Sequence, residues 1–173
     1  MSKALIVIDL QNDYFPGGAY PLWNAEGTLA QLERAIGAAR DANIPVIHVQ
    51  HVADPSAGPS PFFNAGTPGV EIHGAIREAA PDGPVVVKAF ADSFEQTKLE
   101  ELLSGLGVTE LLVAGMMTQN CVTHTAISKA AEKYAVSVLA DCCTTVDEML
   151  HVIALHALST RVKLVSSTEA IAA

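Results

Sequence analysis

Cysteine is scarce and not patterned for pairing. Cys121, Cys142 and Cys143 are an odd number with no Cys-x-x-Cys spacing, which excludes a disulfide framework and leaves reduced thiols as the expectation. Long hydrophobic runs are missing too: nothing approaches the ~20 apolar residues that a membrane helix needs. The opening "MSKALIVIDL" is interrupted at Asp9 and has no small-residue cleavage site, so it does not read as a signal peptide and a cytoplasmic protein is expected. Positive charge is in deficit, with 10 Lys and Arg against 19 Asp and Glu and a net charge of −9. With no basic cluster to offset that balance, neither nucleic acid nor an anionic membrane is an expected partner. No Gly-x-Gly-x-x-Gly follows the first apolar run, and no Gly-Lys-Ser/Thr loop occurs anywhere, so a nucleotide-binding module lacks its signature.

What is present suits one compact α/β domain. The 173 residues are 50% hydrophobic and 17% charged, enough chain to bury roughly 70% of the unfolded surface. Apolar, β-rich runs alternate with helical patterns. Strands are expected at Lys3–Leu10, Pro45–Val52, Pro84–Phe90, Glu110–Gly115, Val136–Asp141 and Val162–Ser166, because near-continuous apolar runs mark strands buried on both faces. Between them, Leu29, Leu32 and Ile36 mark one helix ending near Asn43, and further helices are expected at Glu95–Gly107, Gln119–Tyr134 and around Val146–Leu158. Six strands with intervening helices imply a doubly wound, mostly parallel sheet in a three-layer α/β/α domain covering 1–173. The segment Ala53–Val70 holds four prolines, three glycines and two phenylalanines; so punctuated a stretch reads as a functional loop.

In such sheets ligands bind outside the carboxyl ends of the strands, near the point where strand order reverses. Asp9 ends the first strand, Lys88 the third, and Cys121 opens the helix after the fourth. Singly, each has an ordinary reading: a turn or cap aspartate, a lysine reaching solvent, a small buried thiol. Together they are a carboxylate, an ammonium and a thiol delivered to one edge. With Thr118 as N-cap, Cys121 falls in the first helical turn, where free N–H groups and the helix dipole favour a thiolate. A lysine would lower the thiol pKa further, a carboxylate would carry its proton, and the same N–H groups would hold an oxyanion.

The stretches "VIDLQNDYF", "VVVKAFADSF" and "AGMMTQNCV" resemble the cysteine hydrolases of the isochorismatase-like superfamily, which includes nicotinamidases and other small-amide hydrolases. The resemblance spans nearly the whole chain in motif order. It implies that Asp9, Lys88 and Cys121 form a catalytic triad and that the backbone N–H groups of Met117 and Cys121 form an oxyanion hole. It further implies a cis peptide at Met116–Met117, a thioester intermediate, no cofactor, and a homodimer or higher homo-oligomer. True isochorismatases lack a cysteine at this position, so Cys121 favours acyl chemistry on a C–N bond. Nicotinamidases also carry a metal site with an Asp-x-His core after the second strand. Here "HVQHVAD", with His48, Gln50, His51 and Asp54, lacks that core, so no metal is expected and nicotinamidase identity is not implied.

For the substrate, a small amide, Gln11 and Gln119 are candidate polar contacts; Phe15, Phe62, Phe63, Phe90 and Phe94 are candidate apolar walls. A Cys121–His124 dyad is the rival catalytic pairing, since the two residues lie three apart, although His124 at a subunit contact or in solvent is the simpler expectation. His151 and His156 are five apart, so they do not share a helix face. His73 is expected to fix the long loop. Cys142 and Cys143, placed after the fifth strand, are expected as small buried residues. A thiol redox protein using them or Cys121 is the alternative function.

Overall fold

The computed structural model describes residues 2–172. Its six strands are β1 (Lys3–Ile8), β2 (Val46–His51), β3 (Val85–Lys88), β4 (Glu110–Met116), β5 (Ala135–Thr144) and β6 (Lys163–Val165). All pair in parallel, in the order β3-β2-β1-β4-β5-β6. The order reverses between β1 and β4, so the loops leaving those two central strands part to opposite sides and open a crevice. The fold is the expected doubly wound α/β domain.

Side-chain alternation builds two cores. Along β1, Leu5 and Val7 face one apolar cluster with α1 (Ala25–Asp41), α2 (Gly74–Ala79) and α6 (Ser167–Ala172). Ala4, Ile6 and Ile8 face the other, with α3 (Leu99–Gly105), α4 (Thr123–Ala126) and the Leu158 end of α5 (Glu148–Leu158). Two-sided burial is what makes β1 read as a continuous apolar run. In α1, Leu32, Ala35, Ile36 and Ala39 recur at helical spacing and are buried; the helix stops where Asn43 turns to φ +57°, a left-handed cap that Asn tolerates.

Several elements are shorter or longer than their patterns. The strand expected over Pro84–Phe90 ends at Lys88, where the chain bends. The helix expected over Glu95–Gly107 begins only at Leu99, because Thr97 uses its hydroxyl locally, donating to the Ser93 carbonyl (2.6 Å) and accepting from the Leu99 N–H (3.2 Å). The helix expected over Gln119–Tyr134 is three pieces: a π-helical turn at Thr118–Val122, α4, and a 3-10 turn at Lys129–Lys133. Thr123 Oγ1, at the start of α4, donates back to the Thr118 carbonyl (2.6 Å) of the first piece, and Ser128 caps the last. The cap position before Cys121 is Met117, not Thr118, whose hydroxyl pairs with His151 Nδ1 at 2.8 Å. β5 runs on through Cys142 and Cys143, which therefore lie inside a strand rather than after it.

Gly115 shows how closely β1 and β4 approach. It has φ +129°, and a Cβ there would lie 2.1 Å from the Ile8 carbonyl oxygen. The collision is with backbone, so neither partner can yield. Gly115→Ala is expected to lower unfolding free energy by at least about 2 kcal/mol, read as a lower denaturant midpoint.

Candidate active site

Parallel strands deliver their C-terminal ends to one edge, and β1, β2, β3 and β4 each contribute there. Asp9 follows β1 with φ +56°, a left-handed conformation that Asp accepts better than most residues. Lys88 is the last residue of β3 and pairs in register with His51, the last of β2. Cys121 lies in the π-helical turn after β4, and the peptide Met116–Met117 is cis, as the resemblance implied.

Lys88 Nζ lies between three acceptors: Asp9 Oδ2 at 3.0 Å, Cys121 Sγ at 3.3 Å and His51 Nδ1 at 2.8 Å. An ammonium has three protons, and here each has a partner. Asp9, Lys88 and Cys121 are buried; His51 is half-buried. Asp9 Oδ1 has no hydrogen-bond partner, and one Asp9 oxygen, a His51 nitrogen and Sγ lie within 4.8 Å of one another. The free lone pairs are a proton acceptor beside the thiol. Those three residues could also meet at a divalent ion, but each already accepts a hydrogen bond from the Lys88 ammonium.

Electrostatics here differ from the pattern read in the sequence. Burial pushes the Cys121 thiol far up, the Asp9 carboxylate adds to that, and Lys88 only partly opposes them. These influences run against the low-pKa thiolate expected from the sequence: desolvation in a buried turn opposes what one cation favours. Burial also works against the Lys88 ammonium, yet the adjacent Asp9 carboxylate, which accepts one of its N–H groups, holds Lys88 above the ordinary lysine range. His51 is held below the ordinary histidine range by burial and then by Lys88.

Of the proposed substrate contacts, Gln11 is fully committed elsewhere. Its Nε2 donates to the carbonyls of His51 and Val70, both at 2.7 Å, and its Oε1 accepts from the His51 N–H at 2.8 Å. It clamps the end of β2 rather than offering a free amide. Gln119 Nε2 lies 3.8 Å from Met117 Sδ, and its Oε1 is buried without a partner, so it keeps acceptor capacity near the turn. Phe15 is buried against the His73 ring, 4.5 Å away. Phe94 is buried in the same cluster as Cys121 and stacks on Tyr134 at 6.4 Å, a core position. Phe90 is exposed. Phe62 and Phe63 instead pack on Tyr14, at 5.3 and 4.5 Å, and Phe63 is 5.9 Å from the His51 ring. Tyr14, unread in the sequence, belongs to this group: burial, then Asp9 and then Cys121, drive its hydroxyl far above the ordinary range. A phenol next to "VIDLQND" was the available signal.

The remaining histidines and cysteines separate cleanly. His124 is exposed and its Nδ1 is 2.8 Å from the Asn120 carbonyl, so it is no partner of the thiol. His73 caps α2, its Nδ1 accepting from the Ala75 N–H at 3.3 Å. His48 points to the opposite face from His51, as an odd spacing on a strand requires, and its Nε2 meets the Ala80 carbonyl at 2.9 Å. Cys142 lies in one core cluster and Cys143 in the other, so adjacent residues of β5 face away from each other and do not make a working dithiol. Burial raises both thiols, Cys143 to about 12. The redox alternative loses its pair.

His48, His51 and His151 are all held low, chiefly by burial. A group whose folded pKa lies below its unfolded value gives stability that is full above about pH 6.5 and is lost as pH falls through the folded value. Urea unfolding is therefore expected to show a falling midpoint between pH 6.5 and 5. A flat midpoint over that window would contradict the burial of these rings.

A parallel sheet with charged groups gathered at its switch point belongs to the class of α/β domains that bind small molecules in the crevice between β1 and β4. Within that class, the Isochorismatase domain model matches residues 3–170, and the chain belongs to the isochorismatase family. It is 39% identical over 145 residues to the isochorismatase family protein YddQ of Bacillus subtilis, covering 84% of this chain and 79% of that one. It is 30% identical over 152 residues to the maleamate amidohydrolase of Pseudomonas putida, covering 80% and 70%. The solved structure of an isochorismatase family protein from Desulfovibrio vulgaris superposes with a TM-score of 0.86 at 29% identity, covering 96% and 95% of the two chains.

Proposed function

We propose that this chain is a cysteine amidohydrolase that opens the C–N bond of a small amide through a thioester. The observation that carries the reading is the buried Lys88 ammonium, 3.0 Å from Asp9 Oδ2 and 3.3 Å from Cys121 Sγ, beside an Asp9 oxygen with no partner. An amidohydrolase among the relatives supports the choice of bond.

Burial and the Asp9 carboxylate favour the Cys121 thiol over the thiolate, so in this reading the proton leaves as the nucleophile is used. Asp9 takes the Cys121 proton while Sγ bonds to the carbonyl carbon. The carbonyl π electrons move onto oxygen, and the N–H groups of Met117 and Cys121 donate hydrogen bonds to the oxyanion that forms. The Met117 carbonyl accepts from the Asn120 and Val122 N–H groups at 3.0 and 3.3 Å; neither bond uses the Cys121 N–H that lies between them. The tetrahedral centre collapses, the C–N bond breaks, and the nitrogen leaves with the Asp9 proton. Water then gives a proton to Asp9 and its oxygen to the thioester carbon, and the C–S bond breaks as Cys121 is reprotonated. Lys88 stays charged throughout, holding Asp9 and Sγ in reach.

The partner is a small-molecule amide, and no step needs a cofactor. The same proposal includes a homo-oligomer, a dimer or larger, in a reducing cytoplasm where three unpaired cysteines are stable. Acid-quenching a mixture of the protein and an amide that releases ammonia should leave an acyl group on the peptide containing Cys121, visible by mass spectrometry. Steady ammonia release with no acyl adduct, from a protein lacking the thiol as readily as from the parent, would overturn the reading.

A further inference from the structure

We propose that His51 is a positioning residue of this site: its Nδ1 accepts a hydrogen bond from one N–H of the Lys88 ammonium and so aims the other two at Asp9 and Cys121. The proposal takes its chemical meaning from the hydrolase reading above, but its geometry stands apart from it.

Three observations converge. His51 and Lys88 are register partners across β2 and β3, so their side chains rise on one face of the sheet edge. The Nδ1–Nζ distance of 2.8 Å is the shortest of the three that Lys88 makes. Lys88 is a donor only, so Nδ1 must be the acceptor and the ring must be neutral, with its proton on Nε2. The third observation is how His51 is held: Gln11 grips both its N–H and its carbonyl, and the Phe63 ring packs 5.9 Å away. A buried glutamine that gives its Oε1 and one of its two Nε2 bonds to one neighbour's backbone, and the other to Val70, is explained if that neighbour's ring has to stay put.

Without His51, Nζ would have two acceptors and a free proton, and the ammonium could swing out of line with Sγ. Protonating His51 would do the same, because an imidazolium offers a proton where Lys88 needs a lone pair. The charged or titratable groups that face the ring are Lys88 from β3, Asp9 after β1 and Cys121 after β4. His51 Nε2 has no protein partner among the described residues, which leaves its N–H as a donor for a substrate oxygen or a water molecule.

Nuclear magnetic resonance on the full chain tests this without a substrate. With ¹⁵N-labelled histidine and lysine, His51 should show the Nε2–H tautomer at neutral pH, and the Lys88 ammonium should give an observable, slowly exchanging signal. That signal should vanish in His51→Leu and persist in His51→Asn, whose Oδ1 sits where Nδ1 sat. It should also fade in the parent as His51 gains a proton on acidification, and hold to lower pH in His51→Asn. An Nδ1–H tautomer, or a Lys88 signal equally protected in His51→Leu, would overturn the proposal. If His51→Leu fails to fold, the tautomer in the parent protein decides alone. Loss of the acyl adduct at Cys121 would remove the hydrolase reading and leave these signals unchanged, so the two failures are distinguishable.

Discussion

Cys121→Ala is expected to abolish amide turnover, lowering kcat/KM by about 10⁴-fold or more, while the protein stays folded. The size follows from the role. Removing a nucleophile leaves only binding and the oxyanion donors, which cannot form a thioester. The fold survives because the change is small: one sulfur is lost from a buried turn, and Lys88 keeps Asp9 and His51 as acceptors. The stability cost should be on the order of 1–2 kcal/mol. Ammonia release and a thermal melt on the same preparation separate the two effects. A variant retaining turnover within tenfold of the parent would end the case for a thiol nucleophile, whatever its stability.

Lys88→Met should remove activity and stability together, and the stability loss is the larger test of the site's electrostatics. The Lys88–Asp9 pair is buried on both sides, at 3.0 Å. Methionine fills the volume of the lysine stem but leaves the Asp9 carboxylate buried with no counter-charge, a change that typically costs about 3–5 kcal/mol. Replacing both partners should behave differently. Asp9→Asn keeps a side chain that tolerates the φ of +56° and carries no charge to strand. The double variant Asp9→Asn/Lys88→Met should therefore recover most of the lost stability while remaining inactive. Additive losses, with the double variant the least stable of all, would mean that the two side chains do not act as a pair. Denaturant midpoints for the parent, both single variants and the double variant complete the cycle.

The fold class and the three central residues were legible in the chain for one physical reason. Strands buried on both faces leave a local trace, a continuous apolar run, and parallel topology then places every strand end on one edge. Asp9, Lys88 and Cys121 are polar residues at or beyond such ends, so their meeting follows from local pattern plus topology. The deficit of basic residues and the unpaired cysteines were equally local properties.

Tertiary structure decided the rest. His51 joins Lys88 only because β2 and β3 pair in one particular register, which no local pattern reveals; in the sequence His48 and His51 read only as a pair of histidines without the metal core. Thr118 left its capping role because α5 brings His151 within 2.8 Å of its hydroxyl. Gln11 turned from a candidate reader of substrate into a clamp because the loop after β2 folds back over it, and Tyr14 took up a place near Asp9 and Cys121 through Phe62 and Phe63. The acid–base state of Cys121 was decided in the same way. A helix start and a nearby lysine argue for a thiolate, but the pKa of a thiol depends on how much water the packed fold excludes, and desolvation is a property of the whole surrounding structure rather than of neighbours in the chain.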